Sequence, residues 1–213
     1  MPEVLEIDPR RPEAHLIARA AAILKAGGVL AFPTETFYGL AADAANERAV
    51  EKIFRIKGRD FGNPIALIAG SESHLQGLVA EIPDAARILM RAFWPGPLTL
   101  VFKASSRVIP KLTAGTGRIG IRISSHPIAA SLTEALGGPI TATSANRSGA
   151  AENVSAHEVL QLLGEDPDAV IDGGPAPGGR GSTFLDVTAD PPVVLREGAV
   201  PKERIFEALR GKS

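Results

Sequence analysis

The residues of this sequence that could do chemistry are mainly cationic or hydroxyl-bearing, and they recur where predicted strands end. The apolar run 28–32 does not alternate and stops at Pro33, which cannot donate to a sheet ladder, so it predicts a short buried strand. Thr34, Thr36 and Tyr38 follow it, and each hydroxyl can donate or accept hydrogen bonds. Because ligands of open α/β sheets bind beyond strand ends, these hydroxyls indicate a site for a small polar ligand.

Four cationic side chains come from two further elements. Lys57 and Arg59 leave the C-terminal end of a predicted helix, where the macrodipole alone would favour cations by about 0.3–1 kcal/mol. Arg118 and Arg122 share one face of an alternating segment whose isoleucines occupy the other face. Two guanidinium groups on one strand face indicate either an anion-binding site or a solvated sheet surface.

Polar groups also follow the later strands. Ser144 and Asn146 lie just beyond the predicted strand 140–143 and are two residues apart, so both side chains can point to the same side of a turn. Ser182 ends the glycine-rich segment 173–182, which is either a simple linker or a mobile cover over a ligand. These positions extend the same pattern of polar groups at strand ends.

Taken together, the candidate residues combine permanent cations with neutral hydrogen-bonding groups, and Glu35 and Glu197 are the acidic residues beside them. Such a site stabilises phosphates and a carboxylate through preorganised charge and offers no obvious proton-abstracting base, which predicts group transfer by electrostatics and positioning. The set consists of Thr34, Thr36, Tyr38, Lys57, Arg59, Arg118, Arg122, Ser144, Asn146, Ser182 and Arg196.

Several other chemistries lack their signatures. The chain has no Cys, and its four His residues are far apart without a partner at metal-binding spacing, so no protein metal site is predicted. Neither a G-x-S-x-G elbow, a P-loop nor a G-x-G-x-x-G after a strand occurs. With a net charge of −1, any affinity for nucleic acid must come from a local basic face.

The pattern of elements predicts one α/β domain over residues 1–213, with a twisted mixed sheet of about eight strands flanked by helices. Helices are predicted over 12–25, 47–56, 71–79, 82–93, 127–136, 156–163 and 202–209. No apolar run approaches the roughly 18 residues of a membrane span, and no secretory signal is visible, so we expect a cytoplasmic protein without membrane contact.

Eight ordered motifs between residues 16 and 198 resemble the YrdC-type threonylcarbamoyl-AMP synthases: PTETFYGL, KGR, NPIALI, WPGPLTLV, GIRI, TSAN, GST and REG. The resemblance implies a twisted, YrdC-like α/β sheet with a concave basic cavity. It implies an L-threonylcarbamoyladenylate synthase, a nucleotidyltransferase that makes threonylcarbamoyl-AMP and pyrophosphate from L-threonine, bicarbonate and ATP with Mg²⁺. The implied downstream partner is a tRNA threonylcarbamoyl transferase complex, and direct tRNA contact is a further expectation.

The same resemblance assigns roles to individual residues. Lys57 and Arg59 would be catalytic by neutralising charge on the phosphate chain, and Arg122 would take the threonine carboxylate as a bidentate fork. L-threonine would be held by Thr34, Thr36, Arg122, Ser144 and Ser182. ATP would be held by Lys57, Arg59, Asn63, Arg118, Asn146 and Arg196.

Some positions depart from the family pattern. Family members commonly have other residues where this chain has Asp60, Asn63, Ile68, Ser124 and Gly181; Asn63 replaces a Lys, Ile68 a His and Ser124 a Pro. Two alternatives therefore stay open: a paralogue that acts on a different carbamoyl or amine substrate, and an RNA-binding module that uses the same cavity without catalysis.

Overall fold

The computed structural model describes residues 1–58 and 61–211, so Arg59 and Asp60 lie outside the described residues. Its strands are β1 Glu3–Glu6, β2 Leu30–Phe32, β3 Gly39–Ala41, β4 Ala66–Ile68, β5 Leu98–Lys103, β6 Arg118–Arg122, β7 Ile140–Ser144, β8 Ala169–Asp172, β9 Thr183–Asp186 and β10 Val193–Arg196. Its helices are α1 Ala14–Lys25, α2 Glu47–Lys57, α3 Asp84–Phe93, α4 Pro110–Thr113, α5 Pro127–Leu136, α6 Ala156–Leu163 and α7 Lys202–Arg210.

The strands form one ten-stranded sheet in the order β1-β8-β2-β3-β7-β4-β6-β5-β9-β10. Pairs such as β4 with β6 and β5 with β9 are parallel, whereas β3 with β7 and β5 with β6 are antiparallel. The predicted mixed α/β sheet is therefore confirmed.

Two hydrophobic layers cover the faces of this sheet. On one face α1 and α5 pack together, with Ile17 and Leu132 among the buried residues. The other layer includes Val50 from α2, Leu89 from α3 and Ile205 from α7. Side chains alternate between the two faces along a strand, and both faces of the central strands are covered by these layers. The central strands are therefore continuous apolar runs in the sequence.

Local sequence signals explain where several helices begin and end. The side chain of Asn46 accepts a hydrogen bond from the Ala49 amide at the start of α2, and that of Ser155 accepts one from Glu158 at the start of α6. Gly58 ends α2 and Gly137 ends α5 in the left-handed conformation, with φ of 60° and 79°. These predicted boundaries are confirmed within a residue or two.

The helix predicted over 71–79 is wrong. The chain makes a single 3₁₀ turn, Glu72–Leu75, and Gly77 then has a φ of 93°, which no helix accommodates. The Ala80 amide instead donates to the Lys103 carbonyl, which attaches this segment to β5. The short elements β1, β3 and α4 were not predicted. Within the described ranges, no helix is both long enough and apolar enough to cross a membrane.

Candidate active site

One cavity of about 720 Å³ opens where the predicted strand ends converge. Strand pairing brings these ends together: Gly39 pairs with Ser144, Ile68 with Arg122 and Leu98 with Thr183. All of the candidate residues that the structure describes line it: Thr34, Thr36, Tyr38, Lys57, Asn63, Arg118, Arg122, Ser144, Asn146, Ser182 and Arg196.

The lining has two parts that differ in solvent exposure. We call Thr34, Thr36, Arg122 and Ser182 the buried side, because each is less than a tenth exposed. Lys57 and Asn146 are equally buried but form a separate cluster with Ser144, which is described below. We call Asn63, Arg118 and Arg196 the open side, since all three are exposed. Arg122 and Arg118 stand at opposite ends of β6, on the face that also carries Gly120.

Arg122 is held on the buried side by an acidic neighbour. Its Nη1 donates to Glu35 Oε1, and the second carboxylate oxygen of Glu35 accepts from the Ser124 hydroxyl. Burial lowers the pKa of Arg122 to about 10, which still leaves the guanidinium charged at neutral pH. The buried side therefore contains a fixed cation whose charge is already partly balanced.

The two threonines of the buried side are tied to each other and to their own turn. The Thr34 hydroxyl donates to the Phe37 carbonyl at 2.7 Å, and the hydroxyl oxygens of Thr34 and Thr36 are 3.2 Å apart. The Thr36 amide donates to Thr34 Oγ1 at 3.2 Å. This turn presents the two hydroxyls to the cavity in a fixed arrangement.

Tyr38 has a structural task that its sequence position did not reveal. Its ring is fully buried, and its hydroxyl donates to the Gly174 carbonyl at 2.7 Å. Burial raises the pKa of Tyr38 to about 12. The same glycine-rich segment is attached again where the Gly178 amide donates to the Thr36 carbonyl at 2.8 Å. The Tyr38 hydroxyl thus anchors segment 173–182 to the rim instead of facing a ligand.

Lys57 joins the end of α2 to the turn after β7. Its ammonium group is buried and donates to the Ser144 carbonyl at 2.7 Å, the Asn146 carbonyl at 3.0 Å and Asn146 Oδ1 at 2.8 Å. The Ser144 hydroxyl in turn donates to Asn146 Oδ1 at 2.6 Å. The predicted grouping of Ser144 with Asn146 on one side of a turn is present, and Lys57 is the residue that holds it.

On the open side, each arginine has a partner that leaves much of the guanidinium accessible. Arg118 Nη1 lies 2.9 Å from the buried carboxylate of Asp186. Arg196 donates to the Ser182 carbonyl at 3.0 Å and lies over the Phe184 ring, 4.5 Å from its centroid. Arg59, predicted to act with Lys57, lies outside the described residues.

Sequence reasoning missed three residues that organise the site: Asp186, Phe184 and the carboxylate of Glu35. Glu35 lies between the two threonines of the first motif, which was a visible signal. Asp186 and Phe184 gave no such signal, because their role depends on β9 lying beside β5 in the sheet.

The structure is that of a mixed α/β protein whose strand ends carry cations and hydroxyls into one cavity, an arrangement that suits anionic ligands. The family model Sua5_yciO_yrdC, described as "Telomere recombination", matches residues 22–198. The chain belongs to this Sua5/YciO/YrdC family.

Named relatives and solved structures agree. The chain is 42% identical over 212 residues to threonylcarbamoyl-AMP synthase of Pyrococcus abyssi and 43% identical over 196 residues to that of Bacillus subtilis, covering 95% and 92% of this chain. It covers 62% and 56% of those relatives, so it spans less than two thirds of their length.

Two solved structures show the same architecture. P. abyssi Sua5 complexed with L-threonine superposes with a TM-score of 0.93 at 41% identity, covering 97% of this chain and 60% of that one. Escherichia coli YciO superposes with a TM-score of 0.89 at 32% identity, covering 96% of this chain and 100% of that one. The predicted family and fold are confirmed.

Proposed function

We propose that this chain is an L-threonylcarbamoyladenylate synthase, which joins L-threonine, bicarbonate and ATP into threonylcarbamoyl-AMP and pyrophosphate. One observation carries the proposal: the residues assigned to L-threonine and, among those that the structure describes, the residues assigned to ATP line a single cavity. The named relatives and the threonine-bound Sua5 structure support it.

The geometry suits the two substrates on different sides. Arg122 is buried, and within the described ranges Glu35 takes one of its guanidinium N–H donors while the others have no protein acceptor, which suits a small carboxylate such as that of an amino acid. Thr36 and Ser182 add hydroxyl-bearing side chains to the lining of the same cavity. On the open side, Arg118 and Arg196 suit phosphate oxygens, which tolerate solvent and need charge more than enclosure.

The reaction needs positioning and charge neutralisation. One proton of the threonine ammonium goes to bicarbonate, which releases CO₂ and water. The amine nitrogen then bonds to the CO₂ carbon, and a second proton passes from the nitrogen to solvent as the carbamate forms. A carbamate oxygen then bonds to the α-phosphorus of ATP, and the bond to the β-phosphate oxygen breaks as pyrophosphate leaves. Lys57 holds the turn with Ser144 and Asn146 at the cavity, and the open-side arginines offset the negative charge.

Magnesium would arrive with the triphosphate. Among the described residues, no group of three or more His, Cys, Asp or Glu side chains could hold a metal ion. This fits Mg²⁺, which keeps several waters and binds mainly through substrate phosphates. Glu152, which lines the cavity, is a carboxylate that could contribute, and the ion would supply charge neutralisation on the phosphates.

The test is a pyrophosphate-release assay with purified protein, L-threonine, bicarbonate, Mg²⁺ and ATP. We expect pyrophosphate and a product with the mass of threonylcarbamoyl-AMP, both dependent on threonine and bicarbonate. Release no greater than in the control without threonine would refute the proposal. We expect a separate tRNA threonylcarbamoyl transferase complex to consume the product. A direct contact between this chain and tRNA would be tested by measuring RNA binding at increasing salt concentration.

A paralogue with another amine substrate is the second candidate, favoured by one observation. Ile68 is fully buried, lines the cavity and pairs with Arg122 in the sheet, so an apolar side chain lies beside the carboxylate site. A panel of amines and carbamoyl phosphate, assayed by ATP–pyrophosphate exchange, separates the two candidates. Exchange that requires L-threonine supports the first, and stronger exchange with another amine or with carbamoyl phosphate supports the second.

A further inference from the structure

Glu35 is placed differently from the two threonines that flank it. Thr34 and Thr36 line the cavity, whereas the Glu35 carboxylate contacts Arg122 and Ser124. The side chains of Glu35 and Arg122 are only 13% and 7% exposed, so this ion pair is shielded from solvent and from salt. A carboxylate in that position does not meet the ligand directly. It acts on the group that does.

Both oxygens of this carboxylate have a donor. Oε1 accepts from Arg122 Nη1, and Oε2 accepts from the Ser124 hydroxyl. Ser124 is itself 3% exposed, and its Oγ accepts from the His126 amide at 3.2 Å. His126 caps α5, because its ring nitrogen accepts from the Ile128 amide. The carboxylate is thus fastened to the turn between β6 and α5, which also fastens the arginine.

The contact with Glu35 fixes the orientation of the Arg122 guanidinium plane. A guanidinium carries several N–H donors in a rigid plane, and anchoring one nitrogen orients the rest. Among the described residues, Glu35 is the side chain that hydrogen-bonds Arg122, while Arg122 also lines the cavity. Its remaining N–H donors are therefore buried beside the cavity, and no acceptor among the described residues pairs with them. Buried donors require an acceptor, which here a ligand would supply.

We propose that Glu35 and Ser124 are positioning residues for the recognition of the amino-acid carboxylate: they fix one nitrogen of Arg122 and leave its other donors to the substrate. This inference rests on the proposed function, since it concerns the L-threonine half of the site. Glu35 acts through Arg122 and takes no part in bond making. Ser124 matters because its hydroxyl holds the second carboxylate oxygen, which sets the angle of the first.

The test measures two affinities for each variant. L-threonine is titrated at saturating non-hydrolysable ATP analogue, and the analogue is titrated alone, both by calorimetry. For Glu35→Gln we expect L-threonine affinity to fall on the order of 10-fold to 100-fold, because a weaker neutral hydrogen bond replaces the charge-assisted one that orients the guanidinium. We expect the affinity for the ATP analogue to change by less than about 2-fold, because neither Glu35 nor Ser124 hydrogen-bonds any residue assigned to ATP in the part of the chain that the structure describes. In turnover assays, the KM for L-threonine should rise while that for ATP stays constant.

Ser124→Ala provides a second, milder variant that removes one hydrogen bond and little volume. We expect L-threonine affinity to fall by about 2-fold to 10-fold with no change for the ATP analogue. Glu134→Gln, a carboxylate on α5 outside the cavity lining, is the matched control and should leave both affinities unchanged. If Glu35→Gln does not fold, as judged by circular dichroism, Ser124→Ala alone decides the test.

The outcomes separate this inference from the proposed function. Wild-type protein that binds no L-threonine overturns the proposed function and this inference with it. Wild-type protein that binds L-threonine, together with variants of unchanged threonine affinity, overturns only the positioning role. Equal losses for both ligands also overturn it, because they would indicate a general disturbance of the cavity.

Discussion

The two arginines of β6 face the same cavity, yet they have different surroundings. The side chain of Arg122 is 7% exposed and paired with Glu35, while that of Arg118 is 54% exposed and paired with Asp186. A buried charge is unscreened and depends strongly on its partner, whereas an exposed charge is screened and nearly independent of it. One strand therefore supplies a precise contact at one end and a diffuse electrostatic contact at the other.

The largest expected difference comes from replacing each arginine by lysine. Arg122→Lys keeps the charge but loses the planar fork, so we expect L-threonine binding to weaken by about 2–5 kcal/mol. Arg118→Lys is the matched change at the open end and should alter binding of either ligand by about 1 kcal/mol or less. Calorimetric titration of both variants checks this. Equal effects of the two substitutions would contradict the distinction between the sides.

Gly198 follows β10 and packs against the backbone of Gly181 and Ser182, so it holds the end of the open-side strand close to the buried-side Ser182. A Cβ on Gly198 would lie 2.1 Å from the Gly181 carbonyl oxygen and 2.7 Å from the Ser182 carbonyl carbon, and backbone cannot yield as a flexible side chain can. We expect Gly198→Ala to reduce the free energy of unfolding by about 3 kcal/mol and to impair both ligands together. Gly138→Ala, where a Cβ meets nothing within 4 Å, is the control. Urea denaturation measures both, and near-equal stabilities would count against this account of the REG motif.

Tyr38 tests whether the glycine-rich segment is a fixed part of the rim. Tyr38→Phe leaves the Gly174 carbonyl without its donor and should cost about 1 kcal/mol at neutral pH. Its raised pKa adds a pH signature: the stabilisation is complete below about pH 10, the usual tyrosine value, and is lost as the pH rises to about 12.

The chain has one tyrosine, so tyrosinate absorbance reports this residue directly. We expect titration near pH 12 in the folded protein, and Tyr38→Phe should lack the corresponding fall in stability. A phenol that titrates near pH 10 while the protein stays folded would show that the anchor is not formed.

The smallest expected effect concerns salt. The Debye length falls from about 10 Å at 0.1 M salt to about 3 Å at 1 M, so exposed charges lose most of their reach. We expect affinity for the ATP analogue to fall several-fold over this range and that for L-threonine by less than about 2-fold. Calorimetry at the two salt concentrations measures this, and equal salt dependence of the two ligands would remove the proposed difference in exposure.

Much of this arrangement could be predicted from the sequence because its signals are local. Asn46 and Ser155 are capping residues in sequence and in structure, and apolar runs between turn residues gave most of the strands. The alternation of Arg118 and Arg122 fixed their shared face once β6 was assigned. Polar groups at strand ends converge because neighbouring strands of one sheet end beside each other.

What the sequence did not reveal depends on distant pairing. Tyr38 looked like a ligand contact because its partner, the Gly174 carbonyl, is far along the chain. The place of Glu35 between Thr34 and Thr36 indicates that it belongs to the motif, but nothing local shows that its carboxylate meets Arg122. Strand β3 has only three residues and follows the first motif without a break in composition, so it carried no periodic signal.

The most direct test of the central claim is a crystal structure with L-threonine and a non-hydrolysable ATP analogue bound together. The account predicts that the threonine carboxylate lies on Arg122 and that the phosphates lie toward Arg118 and Arg196, with both ligands in the one cavity. Either ligand bound outside this cavity, or a threonine carboxylate that does not contact Arg122, would contradict it.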